Sequence, residues 1–128
     1  MDLQIYDKES FHSGHERVNK PELNVGVYGM ISINRAASEL MKLKPDSKIS
    51  LAKDTKTNDW FIYENETGYD LREYKNGRRC FNHSKLAAEI LNNIKGITGS
   101  VTFRISSELL MYEKMLYYCV ITASAKHK

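Results

Sequence analysis

From about residue 24 onward, apolar and polar side chains recur with clear periods, and those periods predict the elements. Val25, Val27, Tyr28, Met30, Ile31 and Ile33 form a strand-like stretch broken by Gly26 and Gly29, where a bend or bulge is expected. Asn34 can cap a helix that follows, because its side-chain oxygen can accept an N–H left orphaned in the first turn. Ala36, Ala37, Leu40, Met41 and Leu43 then recur at helical spacing up to the turn Lys44-Pro45-Asp46. Lys48 to Lys53 alternates with period two, a polar loop covers Asp54 to Asp59, and Trp60-Phe61-Ile62-Tyr63 completes a hairpin.

After Asn65-Glu66-Thr67-Gly68, a strand is predicted over Tyr69 to Tyr74. Asn76-Gly77 then turns the chain into another strand, Arg78 to Phe81, since both turn residues tolerate positive φ. Asn82 or Ser84 can cap a second helix carrying Leu86, Ala87, Ile90, Leu91 and Ile94 on one face, closed by Gly96 and Gly99. Two last strands are read from Ser100 to Ile105 and from Met115 to Ile121, with Glu108 to Lys114 in the loop between them. Residues 1–23 show no sustained period beyond Leu3, Ile5 and Tyr6 and are read as an arm or loose edge strand, and 124–128 as a fraying tail.

Residues 31–41 and 79–93 resemble each other: a strand ending in Asn, then a short amphipathic helix. KISLAK and WFIY after the first match SVTFRI and LYYCV after the second, at a separation of roughly fifty residues. The fold expected is therefore α+β: an antiparallel sheet or barrel of about 7–8 strands with two short helices and a pseudo-twofold internal repeat. It forms one domain over 24–123, made of units at about 24–68 and 69–123.

Composition narrows the class. With 128 residues, 41% hydrophobic and 27% charged, the chain suits one packed domain. No apolar run approaches the roughly 20 residues of a bilayer span, and the N-terminus lacks an apolar signal segment, so a cytoplasmic protein without membrane partners is expected. Cys80 and Cys119 have no CxxC spacing and are read as reduced, buried thiols. Nucleotide-loop, nucleophile-elbow and zincin motifs are absent. His12 and His15 flank Ser13 and Gly14, a poor helix, so neither catalysis nor a metal or cofactor is predicted. His83, at the predicted helix start, can donate to a phosphate or sit in solvent.

Net charge is only +3, yet Arg72 to Lys85 holds five bases against one acid. Strand alternation puts Phe61, Tyr63, Arg72, Tyr74 and Arg104 on the outward face, with Lys48 and Ser50 beside them. Rings mixed with cations suit single-stranded nucleic acid, where stacking contributes ~1–3 kcal/mol per base. The same rings could instead be buried in a subunit interface.

The segment 68–94, with Leu71-Arg72-Glu73-Tyr74, the basic hairpin Asn76 to Arg79 and the helix after it, resembles the core of the single-stranded-DNA-binding transcriptional coactivators. With the strands at 48–53 and 59–64 included, it gives their order of four strands then a helix, and the Whirly family resembles two such units in tandem. That resemblance implies a non-enzymatic binder of single-stranded DNA or RNA, acting in transcription or as a replication or recombination accessory factor. Phe61, Tyr63 and Tyr74 would stack bases, and Arg72, Lys75, Arg78, Arg79 and Arg104 would neutralise phosphates, in a homo-oligomer whose exposed edges need cover. The segment GMISINRAASELMKLKPDSKISL (29–51) is similar to the strand, short helix, "LKPGD" turn and strand of AbrB-type swapped-hairpin proteins, whose dimers grip duplex DNA. Here Asp46-Ser47 stands in place of Gly-Asp.

Overall fold

A computed structural model describes residues 20–74, 77–92 and 99–127. In chain order its elements are β1 (Glu22–Val25), β2 (Met30–Ile33), α1 (Arg35–Leu40), β3 (Lys48–Lys53), β4 (Trp60–Glu64), β5 (Tyr69–Asp70), β6 (Arg72–Glu73), β7 (Arg79–Asn82), α2 (Ser84–Asn92), β8 (Val101–Tyr112) and β9 (Met115–His127). The strands form one antiparallel sheet in the order β5-β3-β4-β9-β8-β1-β2-β7-β6. Its two ends, β5 and β6, are separated by Leu71 alone, so a single stretch of chain pairs with β3 on one side and β7 on the other. The sheet thereby nearly closes into a barrel, which leaves few bare edges.

The nine strands among the described residues exceed the seven or eight expected because two expected strands are divided. Residues 25–33 do not bend but reverse: Gly26 N donates to Met30 O (2.8 Å) and Gly29 N to Gly26 O (3.1 Å), with Gly29 at φ 101°. Residues 69–74 break at Leu71, where the chain changes partners. Three boundaries also move. Glu22 and Leu23 belong to β1, and Leu23 is fully buried. The expected loop over Glu108 to Lys114 is a continuation of β8 into a two-residue turn, Glu113 and Lys114, both at positive φ (49° and 67°). Ser124 to His127 continue β9, opposite the start of β8, rather than fraying. The Asn76 turn residue, the Gly96 stop and the paired histidines of 1–19 lie outside the described residues.

Alternation sends Leu23, Ile31, Ile33, Ile62, Phe103 and Val120 inward, each 1% exposed or less, and each such burial stabilises the fold by about 1.5–3 kcal/mol. The helices pack on this core through Ala37, Ala87 and Ile90. Both are capped alike. Asn34 Oδ1 accepts from Ala37 N (2.9 Å), and His83 Nδ1 accepts from Leu86 N (3.0 Å), so His83 is the cap in place of the expected Asn82 or Ser84. In each case the turn before the preceding strand packs on the other helix: Gly29 against Ser84, and Gly77 (φ 76°) against the Arg35 side chain. A side chain at either glycine would meet both strain and neighbouring atoms.

The pairing pattern has a simple property. If residues 22–64 are exchanged with 69–127, so that β1 maps onto the β5–β6 stretch, β2 onto β7, β3 onto β8 and β4 onto β9, every ladder maps onto another ladder or onto itself. Hairpins β1–β2 and β3–β4 never pair with each other. Each is flanked by strands of the second segment.

Because an Asn side chain can make the same cap, His83→Asn should leave stability within a few tenths of a kcal/mol of the parent, whereas His83→Ala should cost about 1 kcal/mol. Urea unfolding of the two variants checks this.

Candidate nucleic-acid interface

The outward set splits in two. Phe61 and Tyr63 point away from the core, as alternation requires, and are half-buried against Tyr117 of β9: the ring centroids lie 6.2 Å and 4.5 Å apart, and Tyr112 lies 6.4 Å from Tyr117. Desolvation, then Tyr63, Glu113 and Tyr112, hold the Tyr117 hydroxyl above the usual phenol range. Arg104 is exposed on β8, between Ile121 of β9 and Glu22 of β1 in the register.

Arg72, Tyr74 and Arg78 lie elsewhere. Arg72 and Tyr74 are exposed at β6 and just beyond it, and Arg78 is half-buried ahead of β7. Around the nearly closed sheet, β8 and β1 on one side and β3 and the β5–β6 stretch on the other separate the β4–β9 ladder from the β2–β7 ladder, so Arg78 lies across the barrel from the aromatic cluster, while Arg72 and Tyr74 lie one strand, β3, away from β4. The expected outward set is thus divided, with Tyr74 beside Arg72 and apart from Phe61 and Tyr63. Lys75 lies outside the described residues. Lys48 is tied to Asp70 (3.6 Å), and Ser50 Oγ accepts from Asn65 Nδ2 (3.3 Å), which commits both to joining β3 to its neighbours.

Arg79 is not a surface cation. It is 5% exposed, and its Nη2 donates to the carbonyls of Lys44 and Pro45, both at 2.9 Å. The same turn is held from within by Ser47 Oγ, which accepts from Lys44 N (2.7 Å) and donates to Glu64 Oε2 (2.5 Å). Arg79 therefore joins the second segment to the LKPDS turn of the first, and its charge is spent on backbone carbonyls. A groove of about 710 Å³ beside this turn is lined by Lys44, Asp46, Lys48, Glu64 and Glu66 among others, and so presents no single sign of charge.

Around the β2–β7 ladder, packing adds residues that the strand pattern did not single out. Arg35 lies over Gly77 beside Arg78 and is ion-paired with Glu39 (3.1 Å). At the other end of the ladder, Tyr28 is 93% exposed in the β1–β2 turn, which docks on the start of α2 through His83 N to Gly29 O (2.8 Å) and so lies beside exposed Lys85. Arg35 and Lys85 each sit at or next to the first residue of a helix that caps an end of the ladder. Helix position would have drawn attention to them only once the helices were known to flank one ladder.

His83 is occupied by its capping role, so it is not placed as a phosphate donor through Nδ1. Cys80 is buried and Cys119 half-buried, and both are free thiols. Burial, then Asp59, pushes the Cys119 thiol above its usual range. Among the described residues no cluster of His, Cys, Asp and Glu forms a metal site, and no helix is long and apolar enough to cross a membrane. Compared with known families, curated proteins and solved structures, the chain matches none.

Replacing Arg79 by Ala should lower unfolding free energy by about 2–4 kcal/mol, because two charge-assisted bonds vanish and buried carbonyls lose their donor. Chemical denaturation of Arg79→Ala measures the loss; a surface cation would cost well under 1 kcal/mol. For Cys119, a raised pKa means less thiolate at a given pH, so its alkylation in Cys80→Ala protein should have a pH midpoint above that of a free cysteine.

Proposed function

We propose that the chain is a non-enzymatic DNA-binding protein of the swapped-hairpin kind, in which two strand-strand-helix-strand-strand repeats within one chain take the place of two subunits and grip duplex DNA. One observation carries the reading. The hairpins of each segment interleave with those of the other, in a pairing pattern unchanged when the segments are exchanged. The resemblance of residues 29–51 to AbrB-type proteins supports it, because the LKPDS turn stands between α1 and β3 as that resemblance requires.

The ends of the β2–β7 ladder supply the contact surface. Arg35, Arg72 and Arg78 would neutralise phosphates at one end and Lys85 at the other, with Tyr74 and Tyr28 beside them. Antiparallel strands place these ends symmetrically, which suits the two antiparallel backbones of a duplex. Phe61 and Tyr63 stand apart from these cations, and of the rings expected to stack bases only Tyr74 lies beside them, which favours a duplex over a single strand.

Fluorescence anisotropy with labelled duplex and single-stranded oligonucleotides, across about 50–200 mM salt, tests the proposal. Duplex should bind more tightly. Arg35→Ala with Arg72→Ala should weaken binding to all sequences and reduce the slope of log affinity against log salt by about two. Tighter single-strand binding with quenching by Phe61→Ala-sensitive stacking would replace this surface by the aromatic one, and no binding at the lowest salt would sink the reading.

A further inference from the structure

The β8–β9 hairpin outgrows the barrel. On one side the β1–β8 ladder stops at Glu22 opposite Arg104, with a last bond from Ile105 N to Pro21 O (2.9 Å). On the other the β4–β9 ladder stops at Ile62 opposite Tyr118. Among the described residues, 106–112 of β8 and 115–117 of β9 are therefore laddered only to each other, past an irregularity between Ile105 and Leu109. A two-stranded ribbon is at best marginally stable in water, and an uncovered β edge is a template for further pairing.

This ribbon is apolar. Leu109, Leu110, Met111, Tyr112 and Leu116 are 53%, 52%, 71%, 62% and 44% exposed. Register puts Leu109, Met111 and Leu116 on one face, and Leu110 and Tyr112 on the other with Tyr117. Surface helices or polar strands would show the reverse pattern, with charge outward. Edge-to-edge pairing of two such ribbons, with Glu108 opposite Lys114, would set Met111 beside its own copy on one face and Leu110 beside Tyr112 on the other.

We propose that this ribbon is a self-association arm whose occupant is the arm of a second copy of the chain, with the edges of the two β8 strands, unladdered at 106–112 among the described residues, side by side and antiparallel about a twofold axis. Charge favours that arrangement. The arm carries Glu108 at its base and Glu113 and Lys114 at its tip, so antiparallel alignment brings the Lys114 of each copy toward the Glu108 of the other. With two acids against one base, the arm has nothing to draw it to an anionic lipid surface, and a strand pairs antiparallel with its own copy without any further specificity. The arm lies beside the aromatic cluster, on the opposite side from the β2–β7 ladder, so a dimer formed through it leaves that ladder open.

Sedimentation velocity of the full chain from about 1 to about 200 µM should show a reversible monomer-to-dimer transition. Leu109→Glu with Met111→Glu should raise the dimer dissociation constant at least about 100-fold, while emission from the buried Trp60 and the melting temperature stay those of the parent. Should the double variant not fold, Met111→Lys alone is measured, with the same direction expected. A parent that stays monomeric at the highest concentration, as it would if the arm were covered within its own chain, overturns the proposal. So does a dimer that survives the substitutions, or one that forms only with vesicles of anionic lipid.

Discussion

The β2–β7 and β4–β9 ladders, with β1–β8 and β3–β5, hold the molecule together, because among the described residues neither half contains a partner for its own hairpins. β1–β2 presents Leu23, Val25, Ile31 and Ile33 toward a core that only β7 and β8 complete, and β3–β4 presents Ile49, Trp60 and Ile62 toward one that needs β9. Other features follow from that dependence. A helix must carry the chain from one hairpin to the next across the barrel end, so α1 and α2 recur at equivalent points, each capped by a side chain at its start. The turn of each opposite hairpin must come close to the helix, so a glycine stands at the contact both times. Leu71 then lets one short stretch serve both ends of the strand order.

The same dependence explains the fate of the basic residues. Turn 44–47 exposes two carbonyls to a half-buried junction, and the second segment satisfies them with Arg79, the guanidinium being long and planar enough to reach both. Arg78, its neighbour in sequence, points to the opposite side of the strand beside Glu22, Asn24, Ser32, Asn34 and Thr102. Two adjacent arginines thus have different surroundings: one fastens the halves, and one lies half-buried against residues of β1, β2 and β8. A run of bases in the sequence is a surface patch only where strand alternation and the needs of nearby carbonyls leave it one.

Much of the fold was legible because its signals are local. Asn34 before Arg35-Ala36-Ala37, the alternation of Lys48 to Lys53 and of Val101 to Ile105, and the inward set of Phe103 and Ile105 are dictated by period and capping within a few residues. The divided strands were not legible, because Gly26 and Gly29 suit a bulge as well as a reversal, and a change of partner at Leu71 leaves no trace in the order of apolar residues. Glu108 to Lys114 resembled a loop since a Glu-Lys turn with two positive φ values is rare outside Asn and Gly, and a ribbon apolar on both faces has no alternation to read. Of the candidate interface, the outward orientation of Phe61, Tyr63 and Arg104 follows from period alone. The separation of Phe61 and Tyr63 from Arg72 and Tyr74 follows from the strand order, which depends on pairings between segments far apart in sequence.

Asn24 of β1 and Thr102 of β8 are joined side chain to side chain (2.5 Å) across 78 positions of sequence. At a translation rate of 5–20 residues per second, that gap holds β1 without its neighbour for roughly 4 to 16 seconds of synthesis. Throughout that interval the nascent first half carries a hairpin with an apolar face and a bare edge, able to pair with the same hairpin on another ribosome of the polysome. Interleaving therefore makes the yield of this protein depend on how quickly its second half follows the first out of the exit tunnel.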